Sequence, residues 1–236
     1  MTDYRALERQ LTEHTGAARR PIAVTFRAAV PGGIEKFSGT QPSGCSFWRL
    51  AAAGRVFYTT PEDHANCAIG AHTHAIPLPA GRAAELELTL SFMTGLGYLR
   101  PEEVEAIPRL AETPAAVVYA PLGDTPFDPD VVLVAGQPGR VMLLQEAAIR
   151  AGVAAPAPLL ARPTCMALPA ALAQGVVSST ACVGNRVYTD LGDDELYVAI
   201  PGRALAPLVA ELSTITSANA ALREYHAQRR KDLATA

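Results

Sequence analysis

Asp130-Val131-Val132-Leu133-Val134-Ala135-Gly136-Gln137-Pro138 is the stretch that decides the fold. Its run from 131 to 134 is apolar without alternation, the pattern of a strand covered on both faces. Pro138 then opens a helix at the favoured first position, and apolar spacing carries it to Arg150. A strand hidden on both sides needs helices on both sides. The chain therefore reads as α+β, a mixed sheet with flanking helices.

Working outward, strands are expected at 21–26, 56–59, 115–119, 176–180 and 196–200, where β-branched and aromatic residues sit between turn signals. Helices are expected at 3–15, at 45–53 closed by Gly54, at 82–94, from Pro101, and at 168–173 closed by Gly175. Two more, 203–212 and 219–232, finish the chain. Segment 61–79 is rich in His, Pro and Gly and reads as an irregular site loop, and Cys182 reads as part of a turn.

The 236 residues, 49% apolar and 18% charged, can bury a full core without staples, and we expect one compact domain over 1–236. A net charge of −3 spread along the chain offers no field for a polyanion, so nucleic acid is not an expected partner. Arg5, Glu8, Arg9 and Glu13 interrupt the first segment, which does not read as a signal peptide, and no run is long and apolar enough to span a membrane. The expected location is the cytoplasm. There thiols stay reduced, so Cys45, Cys67, Cys165 and Cys182 read as thiols or ligands and not as two disulfides.

The cysteines also mark an internal echo. Cys45 leads to Gly54, a strand, and Cys67 with Gly70 behind it; Cys165 leads to Gly175, a strand, and Cys182 with Gly184 behind it. Gly81-Arg82-Ala83 and Gly202-Arg203-Ala204 then open helices, and Ala-Ile-Pro precedes both, although a third copy at Ala106-Ile107-Pro108 has no place in the pattern. Two similar halves, about 21–97 and 115–213, packed about a pseudo-twofold axis would follow. Equivalent cysteines could then converge near that axis.

Phe57-Tyr58-Thr59-Thr60-Pro61-Glu62-Asp63-His64-Ala65-Asn66-Cys67-Ala68-Ile69-Gly70, Arg162-Pro163-Thr164-Cys165 and Cys182-Val183-Gly184-Asn185-Arg186-Val187-Tyr188-Thr189, with Asp194-Glu195-Leu196, resemble the uncharacterised ArCR-like family, domain of unknown function 169. The resemblance covers roughly residues 5 to 225. It implies a prokaryotic cytoplasmic protein without an assigned activity, and it implies that the four cysteines occupy family motif positions. Where the pattern has a glycine before the last cysteine, this chain has Ala181.

Residue inventory removes several chemistries. Lys36 and Lys231 head no phosphate-binding loop and suit no pyridoxal phosphate Schiff base, and Gly95-Leu96-Gly97 lacks the third glycine of a dinucleotide fingerprint. ATP, PLP and NAD are therefore not expected. Gly-x-Ser-x-Gly, His-Glu-x-x-His and Cys-x-x-Cys are absent. What remains is Cys45, Cys67, Cys165 and Cys182 with His64, His72 and His74, a soft ligand set for an iron–sulfur cluster or another thiophilic metal serving redox or accessory chemistry. His72 and His74 flank Thr73, so an extended segment would aim them the same way.

Arg162 and Arg186, each near a cysteine, could steady an anionic cofactor. Two other functions stay open: a small-molecule binder or enzyme using Cys67 or Cys182 as a nucleophile near His64, or a non-catalytic interaction module whose cysteines are small core residues. Expected partners are a small molecule or a metal, and homo-oligomerisation is left open.

Overall fold

In the computed structural model, which describes residues 2–159 and 163–234, the run at Val131 is a central strand. The strands are β1 (Ile22–Arg27), β2 (Phe57–Thr59), β3 (Ala116–Pro121), β4 (Val131–Gly136), β5 (Val177–Ser179) and β6 (Leu196–Pro201). They form one sheet in the order β2-β3-β1-β4-β6-β5, and every ladder between them is antiparallel. Among the described residues there are nine α-helices: α1 (Tyr4–Thr15), α2 (Ser46–Ala52), α3 (Ala68–Thr73), α4 (Glu85–Gly95), α5 (Pro101–Glu105), α6 (Pro138–Arg150), α7 (Ala167–Gln174), α8 (Val183–Thr189) and α9 (Gly202–Ala234). The architecture is α+β.

The expected mixed sheet is corrected to an antiparallel one. An unbroken apolar strand signals two covered faces, not strand direction, and helices on both faces give β4 the same signature. Alternate residues divide as the pleat demands: Val131, Leu133 and Ala135 meet an aromatic core, whereas Val132 and Val134 meet an aliphatic one. The aromatic side carries α2 and α7, with Phe47, Trp48, Phe57, Tyr119 and Tyr197 buried. The aliphatic side is closed by α1, α6 and α9 through Leu11, Leu144, Leu205 and Leu208.

Register is fixed at the centre by Ala23↔Val132, flanked by Ile22↔Leu133 and Val24↔Val131. β1 pairs with β3 from Ile22↔Pro121 to Arg27↔Ala116, and β4 with β6 from Val131↔Pro201 to Gly136↔Leu196. The edge strands add Phe57↔Tyr119 and Val177↔Ala199. Where α9 begins, Gly202 is required by close approach, because a Cβ there would lie 1.7 Å from the Pro129 carbonyl oxygen.

Three local expectations change. Segment 61–79 is not irregular throughout, since a 3-10 turn, Pro61–His64, and α3 occupy it. Cys182 begins a helix, α8. The two terminal helices are one, running through Pro207. That proline, the sixth residue of α9, has no N–H to give the Arg203 carbonyl and so costs one hydrogen bond near the start. No helix among the described residues is long and apolar enough to cross a membrane.

Candidate functional site

The four cysteines meet on the aromatic side of the sheet. Cys45 precedes α2, and Cys165 lies in the 3-10 turn Thr164–Met166 that leads into α7. Cys67 and Cys182 are the N-caps of α3 and α8, each accepting through Sγ the backbone N–H three residues on, Gly70 at 3.3 Å and Asn185 at 3.4 Å. Packing is crosswise: α2 rests on α8, and the Cys165 turn rests on α3.

The result is one cavity of about 580 Å3 lined by Cys45, Cys67, Cys165 and Cys182. Cys45 and Cys165 are buried, Cys67 and Cys182 half-buried, and all four are free thiols. Polar side chains also line it, among them Ser43, whose Oγ is 3.0 Å from Cys45 Sγ, Thr164 and Asn185. The outer wall is apolar, with Phe92, Met93 and Leu96 on one side and Val183 and Tyr188 on the other. Phe92 and Leu96 are still 68% and 67% exposed, so the mouth is ringed by uncovered apolar surface.

Burial pushes the Cys45 thiol up to about 12, against the lowering effect of its Ser43 hydrogen bond. Cys67 and Cys165 are raised for the same reason, burial first, and in both a neighbouring cysteine charge adds to it. These three thiols hold their protons at neutral pH. A metal entering the cavity must displace them. Among the described residues, no group of three or more Cys, His, Asp or Glu side chains is drawn together tightly enough to hold a metal ion.

The histidines do not join the thiols at the cavity wall. His64 is buried, with Nε2 2.8 Å from Thr59 Oγ1 and its ring on Phe47, and its Nδ1 has no hydrogen-bond partner. His74 is buried with Nδ1 2.8 Å from the Gly70 carbonyl, and its ring lies 5.6 Å from that of His64. Burial lowers His64 to about 3 and His74 to about 4, keeping both neutral. Since residue 72 is helical and 74 caps the helix, His72 and His74 do not share a direction as an extended segment would require; the His72 carbonyl accepts from Arg109. The Asp63 carboxylate caps the turn at Thr60 N (2.7 Å).

Arg186 donates to the Thr180, Gly192 and Glu195 carbonyls. Arg162 lies outside the described residues. Ala181 takes φ 62°, the left-handed conformation a glycine would adopt freely. The sequence reading missed Asn185 as a site residue. Its position, three residues after Cys182 as Gly70 follows Cys67, was the available signal.

With the cysteine cavity in view, the family match carries weight. The family model of the uncharacterised ArCR group, domain of unknown function 169, matches residues 10–211. The chain belongs to this family. In this ArCR protein the matched span includes all four cysteines and every strand of the sheet. No curated protein and no solved structure matches the chain.

Proposed function

We propose that this ArCR protein is a cofactor-binding protein whose four cysteines hold an iron–sulfur cluster in the shared cavity. The observation that carries this is the convergence of thiols 22, 98 and 17 positions apart in sequence on one cavity of about 580 Å3. Thiolates are the ligands such clusters use, and four is the full complement for a cubane. A single tetrahedral ion with bonds of about 2.3 Å needs sulfurs roughly 3.8 Å apart. No such close group occurs among the described residues. Backbone N–H groups already aimed at two of the sulfurs, and apolar walls, are the surroundings that tune a cluster's potential.

The internal echo belongs to the same proposal. Replacing β1, β2 and β3 by β4, β5 and β6 turns the strand order into its own reverse. It turns Ile22↔Pro121 into Val131↔Pro201, Phe57↔Tyr119 into Val177↔Ala199, and Ala23↔Val132 into itself. The bond from Leu122 N to Pro21 O becomes that from Gly202 N to Asp130 O, both 2.8 Å. Two similar halves about a pseudo-twofold through the Ala23–Val132 pair would relate Cys45 to Cys165 and Cys67 to Cys182. The break then falls between β3 and β4, which puts β3 in the first half, and the Gly-Arg-Ala tripeptides are not equivalent, because one precedes β3 and the other follows β6. The single sheet shared by both halves supports reading the chain as one domain.

Protein purified without oxygen should carry iron and sulfide, about four irons per chain, and lose them in Cys67→Ala and Cys182→Ala. Colourless, iron-free protein from that preparation would overturn the proposal.

A further inference from the structure

The two cysteine-capped helices open alike, and among the cavity-lining positions where they differ is the one whose backbone N–H reaches the capping sulfur. In α3 the donor to Cys67 Sγ is Gly70, where a Cβ would lie 3.1 Å from that sulfur. In α8 the donor to Cys182 Sγ is Asn185, which carries a side chain. Asn185 is 1% exposed and lines the cavity. Thr189 Oγ1 sits 3.4 Å from its Oδ1, and its Nδ2, although within reach of the Cys45 thiol, makes no hydrogen bond of good geometry. Buried amide donors are almost always paired, so an orphan N–H in the wall of a cavity marks a place where a ligand completes the bond.

The orphan is also one-sided. Gly70 offers nothing beyond its backbone, whereas Asn185 adds a donor beside Cys182 and near Cys45, whose thiolate form its amide favours. We propose that Asn185 contacts the cofactor directly, its Nδ2–H donating to an acceptor atom of the occupant on the Cys45–Cys182 side. On the cluster-binding function proposed above, that acceptor is a bridging sulfide or a ligating cysteine sulfur. A donor there stabilises the extra negative charge of the reduced cluster and raises its reduction potential. The Cys45–Cys182 side then carries an amide donor, where the Cys67–Cys165 side has the Thr73 and Thr164 hydroxyls.

The test compares anaerobically purified wild type with Asn185→Leu, which keeps the bulk and removes the donor, and Asn185→Gly, which copies position 70. Should the leucine variant fail to fold by circular dichroism, the glycine variant carries the measurement. Iron and sulfide are counted first, and the midpoint potential is then taken by spectroscopic redox titration. The expected result is a cluster retained in the variants with its potential shifted to more negative values, and restored toward wild type in Asn185→Gln. A loaded wild type with unchanged potential in both variants removes the Asn185 contact and leaves cluster binding standing. A wild type without iron and sulfide removes both.

Discussion

The two faces of the sheet are built from different materials. Behind it, α1, α6 and α9 close an aliphatic core of Leu, Val, Ile and Ala with no buried aromatic ring. In front lie the rings, the thiols and the buried histidines. Most buried polar atoms without partners gather in front as well: Trp48 Nε1, His64 Nδ1, His74 Nε2, Tyr119 Oη and Asn185 Nδ2, against Arg27 Nε in β1 and Thr216 Oγ1 in α9. Such orphans cost stability, about 1–3 kcal/mol each. The difference teaches that the aliphatic face supplies the stability that lets the front face keep an unsatisfied, solvent-poor site.

The sharpest way to break that division is to weaken the back. Leu144→Ala, at a fully buried position of α6, should cost about 2–5 kcal/mol in denaturant unfolding. Native-state alkylation of the four thiols should proceed as in wild type. Altered thiol reactivity would mean that the faces are not separable.

Next comes acid. His64 and His74 are neutral in the fold with values near 3 and 4, against 6.5 when free. Below pH 6.5 the unfolded chain takes up protons that the folded chain refuses, so stability falls as the pH drops, down to about pH 4 for His74 and pH 3 for His64. At pH 5 each should cost about 2 kcal/mol relative to pH 8. His64→Leu should remove its share of the slope, whatever it does to stability at pH 8.

The thiols respond in a third way. Cys45, Cys67 and Cys165 have raised values through burial, so the proposed cluster would compete with protons for them. Iron retention measured from pH 8 to pH 6 should decline, with affinity falling about tenfold per pH unit for each thiol that regains its proton. A flat profile would show that the thiols are not the ligands.

The smallest effect concerns Ala181. Its φ of 62° carries a left-handed penalty of about 1–2 kcal/mol for a residue with a Cβ, partly offset in glycine by unfolded-state entropy. Ala181→Gly should therefore stabilise by about 1 kcal/mol or less in the same unfolding assay.

What the sequence disclosed follows from where each signal is stored. The run at Val131, Gly54 closing the Cys45 helix, and Pro138–Arg150 are local patterns, and all three are present. Helices α3 and α8 were not legible because cysteine is not among the usual N-cap residues, and Ala-Ile-Gly-Ala-His-Thr and Val-Gly-Asn-Arg-Val-Tyr-Thr contain glycine and β-branched residues that weaken a helix signal. Strand direction was illegible since it depends on partners far apart in sequence. The meeting of the thiols depends on α2 crossing to α8 and the Cys165 turn crossing to α3, and no spacing between cysteines encodes that.

The central register has a consequence for how the molecule comes into being. Ile22 pairs with Pro121 on one side and Leu133 on the other, and Val131 waits for Pro201. Contacts of that sequence separation place folding in the slow range, milliseconds to seconds, as loop closure must precede reward. On a ribosome adding about 5–20 residues per second, β1 spends on the order of 5–20 s without its first neighbour. For that interval Ile22, Val24 and Phe26 form an apolar, unpaired strand edge, and productive synthesis depends on keeping it from pairing with another chain.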